Sequence, residues 1–193
     1  MKIYGQQISG NCLKVKYVSD HLKLPYEWVE VDIVGGGSRT PEMLAKNPAG
    51  QVPFVEFDDG SVLSQSNAIM IHLAQGSGLI PDDTFEQAKM LEWMFWEQYS
   101  HETAIAVARF RVVYQGQKVE ELDPTLVAKG NDALDLMEKH LNDGLFFVGN
   151  KPSLADVALI AYTQFAEEPG FDLAARPGVT AWLARVKAAL GIT

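Results

Sequence analysis

Strand-like and helix-like segments alternate through the first 75 residues, and then the strand pattern stops. That order constrains the fold more than any other feature. Ile3-Tyr4 reads as a first strand, and Val15, Val18 and Leu22 lie at helical spacing after it. Leu24-Pro25 ends this helix, because the residue before proline avoids the helical region. Residues 26–32 are rich in strand formers, Thr40-Pro41 starts a short helix through Leu44, and residues 52–57 form a third strand. Asp58-Asp59-Gly60 turns the chain into a fourth strand at 61–63, and Gln65-Ser66-Asn67 opens a helix over 68–74. A β-α-β-α-β-β-α order of this length predicts one mixed four-stranded sheet with helices on its faces, the first βαβ unit supplying a parallel pair.

Gly76-Ser77-Gly78 and Pro81-Asp82-Asp83 mark a composition break, so the expected domains are 1–76 and 85–193 with a linker at 77–84. The second domain reads as all-helical. A long helix or helix pair spans 85–114, with an aromatic side at Trp96, Tyr99, Phe110 and Val113. Another helix starts at Asp123-Pro124, and a last one carries Val179, Trp182, Leu183, Val186 and Leu190. The segment from Ser153 to Tyr162 is apolar almost all round and should be the centre of the bundle. Ser153 and Asp156 have the spacing of a capping box, so Asp156 is expected to be buried and bonded to backbone N–H groups.

Composition narrows function. The net charge is −9, carried mostly after residue 80, with no basic run. Such a chain is a poor ligand for nucleic acid or anionic membranes. It has one cysteine, so no internal disulfide, and no apolar leader or membrane-length run, which points to a cytoplasmic setting. The four histidines, His21, His72, His101 and His140, show no metal-ligand spacing and are expected at the surface or at edges, with no metal bound.

The stretch Ile8-Ser9-Gly10-Asn11-Cys12 carries the chemistry. It joins strand one to helix one, with capping residues at Ser9 and Asn11. A helix start presents free N–H groups and the positive end of a dipole, here with a hydroxyl and a thiol one turn apart. Read locally, it is either a capped helix with a buried cysteine or a site for an anion beside two sulfur- or oxygen-based groups.

Four motifs stand in order: Ser9-Gly10-Asn11-Cys12, Asn47-Pro48-Ala49-Gly50-Gln51-Val52-Pro53, Gln65-Ser66-Asn67-Ala68-Ile69, and Ser153-Leu154-Ala155-Asp156. Together they resemble the glutathione S-transferase superfamily, in a bacterial-type, serine-like form, over essentially the whole chain. The resemblance implies a thioredoxin-like N-terminal domain, a helical C-terminal domain, a homodimer, a role in detoxification, and glutathione as co-substrate with a small apolar electrophile in a cleft between domains. It implies a cis bond before Pro53, with the Val52 backbone at a sheet edge pairing to the peptide. Ser66 and the start of helix three would take the γ-glutamyl carboxylate. Arg39 and Gln51 would face the glycine end, Arg39 being otherwise a solvated loop charge. Gln65 stands where many relatives carry Glu. Ser9 would stabilise the glutathione thiolate. Cys12, in the first helical turn, would instead serve a disulfide reductase or isomerase if its pKa were depressed. Tyr99, Arg109 and Phe110 are candidates for the electrophile pocket, or simply core. A non-catalytic binding protein of the same fold is the other alternative.

Overall fold

The computed structural model describes residues 1–192 and divides into two compact units, Met1–Ser77 and a second from Gly78 onward. In the first, β1 (Lys2–Gly5), β2 (Glu27–Glu30), β3 (Phe54–Glu56) and β4 (Val62–Ser64) form one sheet in the order β2-β1-β3-β4. β1 runs parallel to β2 and antiparallel to β3, with Ile3 opposite both Trp28 and Val55. β3 and β4 pair antiparallel. The mixed sheet and the element order are those expected, with β2 confined to the centre of residues 26–32.

Alternation along the strands sends their side chains to two faces. Ile3 and Val55 pack with Val15 of α1 (Gly10–His21) and Ile69 of α3 (Ser66–Leu73). Tyr4 and Phe54 point the other way, toward Val31, Val52 and Met43 of α2 (Pro41–Lys46). Their rings stack at 4.4 Å, and the Tyr4 hydroxyl donates to Glu56 at 2.7 Å.

Two expectations about the third strand need correcting. It begins at Phe54 rather than Val52, since Pro53 has no N–H to give to the ladder. It is also an inner strand, between β1 and β4, so Val52 sits beyond the end of an internal strand and not on a sheet edge. The Val52–Pro53 bond is cis, as the resemblance implied.

The second unit holds helices and no strand among its described residues. The run from 84 to 114 is continuous: α4 (Thr84–Trp96), a π-helical turn at Glu97–His101, α5 (Glu102–Arg109), and a second π-helical turn at Phe110–Tyr114. α6 (Pro124–Leu141), α7 (Leu154–Thr163) and α8 (Pro177–Leu190) follow. Every residue of α7 is buried. The Ser153–Asp156 capping box is present, and Asp156 also accepts from the Phe147 N–H at 3.1 Å and the Trp182 indole at 2.9 Å. His101 departs from the surface position expected of it. It is fully buried, its Nε2 2.9 Å from the Thr163 hydroxyl, because the π turn rotates it inward against α7. No helix among the described residues is long and apolar enough to cross a membrane.

Candidate functional site

The site begins where β1 ends. Ser9 is the N-cap of α1, in extended backbone (φ −85°, ψ 119°), and its side chain makes no capping bond to the helix. Its side chain acts on the thiol of Cys12, three residues on, in the direction that favours the thiolate. Gly5 makes room for this arrangement: a Cβ there would lie 2.8 Å from Trp28 Cη2 and 3.1 Å from Cys12 Sγ.

Cys12 is 0 % exposed. Burial pushes its thiol up to about 11, and the bonds from the Ser9 side chain and the Gln6 backbone only partly oppose this. The depressed pKa on which the disulfide-exchange alternative depends is not what this site gives, because burial costs the thiolate its water.

The loop before β3 is built by Asn47. Its Nδ2 donates to the Gln51 carbonyl at 2.7 Å, and its own carbonyl accepts from the Gly50 N–H at 2.9 Å. Gly50 takes φ +62°, and a Cβ there would meet Arg39 Cγ and Leu44 Cδ2, each at 3.2 Å. Arg39 therefore lies against the turn that carries Gln51, with both side chains exposed. Val52 follows, outside every strand pairing among the described residues.

At the start of α3 the backbone of Gln65 has φ 72°, a left-handed conformation that costs a non-glycine residue about 1–3 kcal/mol. It turns β4 sharply into the helix, which starts two residues earlier than expected, at Ser66. Ser66 is buried, and its hydroxyl donates to Asn11 Oδ1 at 3.0 Å. This bond joins the starts of α1 and α3, so Ser9, Cys12 and Ser66 belong to one neighbourhood. Asn11 also accepts from Lys14 Nζ at 2.9 Å. Sequence reasoning treated Asn11 only as a cap and passed over Lys14. Their spacing of three residues on one helix face was the available signal.

Of the three electrophile-pocket candidates, Arg109 and Phe110 both reach the Tyr114 ring, at 5.4 Å and 5.8 Å, while Tyr99 lines a groove elsewhere. Tyr99 is 85 % exposed and lines a groove of about 510 Å³ with Trp96, Thr103, Lys129 and Leu136. Arg109 is buried, paired to Glu168 at 2.5 Å and set over the Phe165 ring at 4.2 Å, an arrangement that anchors the second unit. Phe110 is half-exposed beside Tyr114. No three His, Cys, Asp or Glu side chains among the described residues are grouped to hold a metal ion.

Comparison with known proteins accounts for both units. Residues 8–75 match the family model "Glutathione S-transferase, N-terminal domain", and residues 94–189 match "Glutathione S-transferase, C-terminal domain". Glutathione S-transferase 3 of Zea mays is 31% identical over 94% of this chain and 86% of its own. The crystal structure of a glutathione S-transferase from Pseudomonas fluorescens superposes with a TM-score of 0.93 at 48% identity, covering 97% of this chain and 94% of that one. A glutathione transferase homologue from Drosophila mojavensis, solved with bound glutathione, is 26% identical with a TM-score of 0.85, over 96% of this chain and 86% of that one. With both family models matched in order on a thioredoxin-like sheet and a helical unit, the chain belongs to the glutathione S-transferase superfamily.

Proposed function

We propose that this protein is a glutathione transferase that holds glutathione along the loop of Gln51, Val52 and Pro53 and activates its thiol with Ser9. The observation that carries this reading is the Ser9 side chain, which heads α1 without making a capping bond, beside the start of α3 that Asn11 ties to α1. In the proposed complex its hydroxyl donates to the glutathione sulfur. A thiol of pKa about 8.5 needs roughly 2.7 kcal/mol to be lowered by two units. A charge-assisted hydroxyl bond and the α1 dipole jointly reach that range. The Val52 backbone, outside the sheet ladder, offers its N–H and C=O to the backbone of the ligand peptide. Ser66 and the α3 N-terminus take the γ-glutamyl carboxylate, and Arg39 with Gln51 takes the glycine end. The thiolate then attacks a small apolar electrophile.

The buried, protonated Cys12 weighs against the disulfide-exchange alternative, since the thiolate is the reactive form. Glutathione titrated into the wild type should produce saturating thiolate absorbance near neutral pH, and Ser9→Ala should lose it with about a hundredfold of kcat/KM. Unchanged turnover in Ser9→Ala sinks the mechanism. Cys12→Ser should keep the activity, and its abolition would favour the redox reading. Glutathione that binds without ionising in the wild type would favour the non-catalytic binding role.

A further inference from the structure

β1 and β2 pair in parallel with a fixed offset: the Glu27 N–H donates to the Met1 carbonyl at 3.1 Å, and the Val31 N–H to the Gly5 carbonyl at 2.8 Å. By that offset the next rung would carry the Ile33 N–H to the carbonyl of Gln7. β1 has already left the sheet by then, because the Gln6 carbonyl takes the Ser9 N–H at 2.9 Å and closes a turn. The Gln6 side chain supplies the rung instead, its Oε1 accepting from the Ile33 N–H at 3.1 Å. The two carbonyls of one residue thus hold the N-cap of α1 and the start of the loop behind β2. That loop is tied at each step as far as Arg39. Asp32 Oδ1 accepts from the Gly35 N–H at 2.8 Å, and the Asp32 carbonyl from the Gly37 N–H at 2.6 Å. The Gly36 carbonyl accepts from the Arg39 N–H at 2.9 Å. Arg39 then lies against the Gly50 turn that carries Gln51.

We infer that Gln6 is a positioning residue of the glutathione site, its side chain anchoring the glycine-rich loop that delivers Arg39 to the turn of Gln51. The inference rests on the proposed placement of the glycine end of glutathione on Arg39. Three consecutive glycines make residues 35–37 the costliest part of the site to order, since glycine loses the most backbone freedom. Tied down in the free protein, the loop spares the ligand that entropy on binding. Without the anchor, Ile33 loses its acceptor and the loop behind it is freed, so the contact to the glycine carboxylate weakens. The Ser9 turn hangs on the main chain of Gln6 and stays in place.

Calorimetric titration with two ligands tests this: glutathione, and its analogue in which the glycine carboxylate is an amide. Arg39→Ala, which removes the proposed partner, should weaken glutathione about tenfold and the amide less than about twofold. Gln6→Leu should weaken glutathione about three- to fivefold, spare the amide, and add little to Arg39→Ala, because both act through one contact. The thiolate absorbance of Gln6→Leu saturated with glutathione should match wild type, since Ser9 is undisturbed. Gln6→Glu keeps an acceptor for the Ile33 N–H and should recover most of the loss. Gly37→Ala would set a Cβ 2.8 Å from the Asp32 carbonyl oxygen and disturb the same loop from its other end. It should give the same selective loss even if Gln6→Leu does not fold. Equal weakening of both ligands by Gln6→Leu, full additivity with Arg39→Ala, or unchanged glutathione affinity in both Gln6→Leu and Gly37→Ala overturns the role of Gln6 and leaves the site intact. An Arg39→Ala protein that treats the two ligands alike overturns the placement of the glycine end, and this inference with it.

Discussion

Replacing Cys12 by alanine separates its packing from any chemistry, and pH makes the separation quantitative. The folded protein raises the thiol from 9.0 to about 11. Between those values the folded state holds a proton that the unfolded chain has released. The stability from this group is therefore complete below about pH 9 and is lost as pH rises through 11. Two units correspond to about 3 kcal/mol. Removing a fully buried sulfur costs about 1–2 kcal/mol at neutral pH. Cys12→Ala should thus be less stable than wild type at pH 7.5, match it near pH 10, and exceed it above pH 11. Urea unfolding of both proteins across this range reads the difference, and every other titrating group cancels between them. Labelling gives an independent check. At pH 7.5 about one native thiol in 3,000 is ionised, against roughly one in ten for a free cysteine, so iodoacetamide should react at least about 300-fold more slowly. Stability curves that run parallel to pH 11, or native labelling at the free-cysteine rate, would refute the buried-thiol argument.

Other outcomes are expected from single sites. Asp156→Ala should cost about 3–5 kcal/mol, because it orphans buried donors on Ser153, Phe147 and Trp182; a thermal melt within a few degrees of wild type would show that these donors are satisfied otherwise. Gly130→Ala should destabilise by about 1–3 kcal/mol despite the better helix propensity of alanine, since its Cβ would lie 2.3 Å from the Phe171 ring. Equal or higher stability in urea would mean that Phe171 shifts freely. Gly50→Ala should cost about 1 kcal/mol through its positive φ and push Arg39 aside, raising the KM for glutathione several-fold. An unchanged KM would place Arg39 outside the binding contacts.

Much of the fold was legible because periodicity reports it directly. The short apolar runs at Ile3-Tyr4 and 52–57 and the helical stripe of Val15, Val18 and Leu22 each mark a segment that must be buried. The capping box at Ser153 and Asp156 was legible for a similar reason, since it is a local arrangement complete within four residues. The order of the site motifs was legible too, because each lies at the junction of two elements. Boundaries were less legible. Pro53 and the left-handed Gln65 set the starts of β3 and α3 through backbone geometry that periodicity does not carry.

By itself, then, the sequence determined the alternating order of elements and the helical second unit, while the loops of the proposed site were read from the family resemblance. The element order follows from the spacing of apolar side chains and from turn residues, which act over a few positions. Only the tertiary structure decided the state of Cys12, the burial of His101 and Lys14, and the placement of Val52 beyond an inner strand. Each depends on what distant segments bring to the same volume: the packing around a sulfur sets the balance between dipole and desolvation, and the approach of α3 to α1 joins Asn11 to Ser66, 55 residues away.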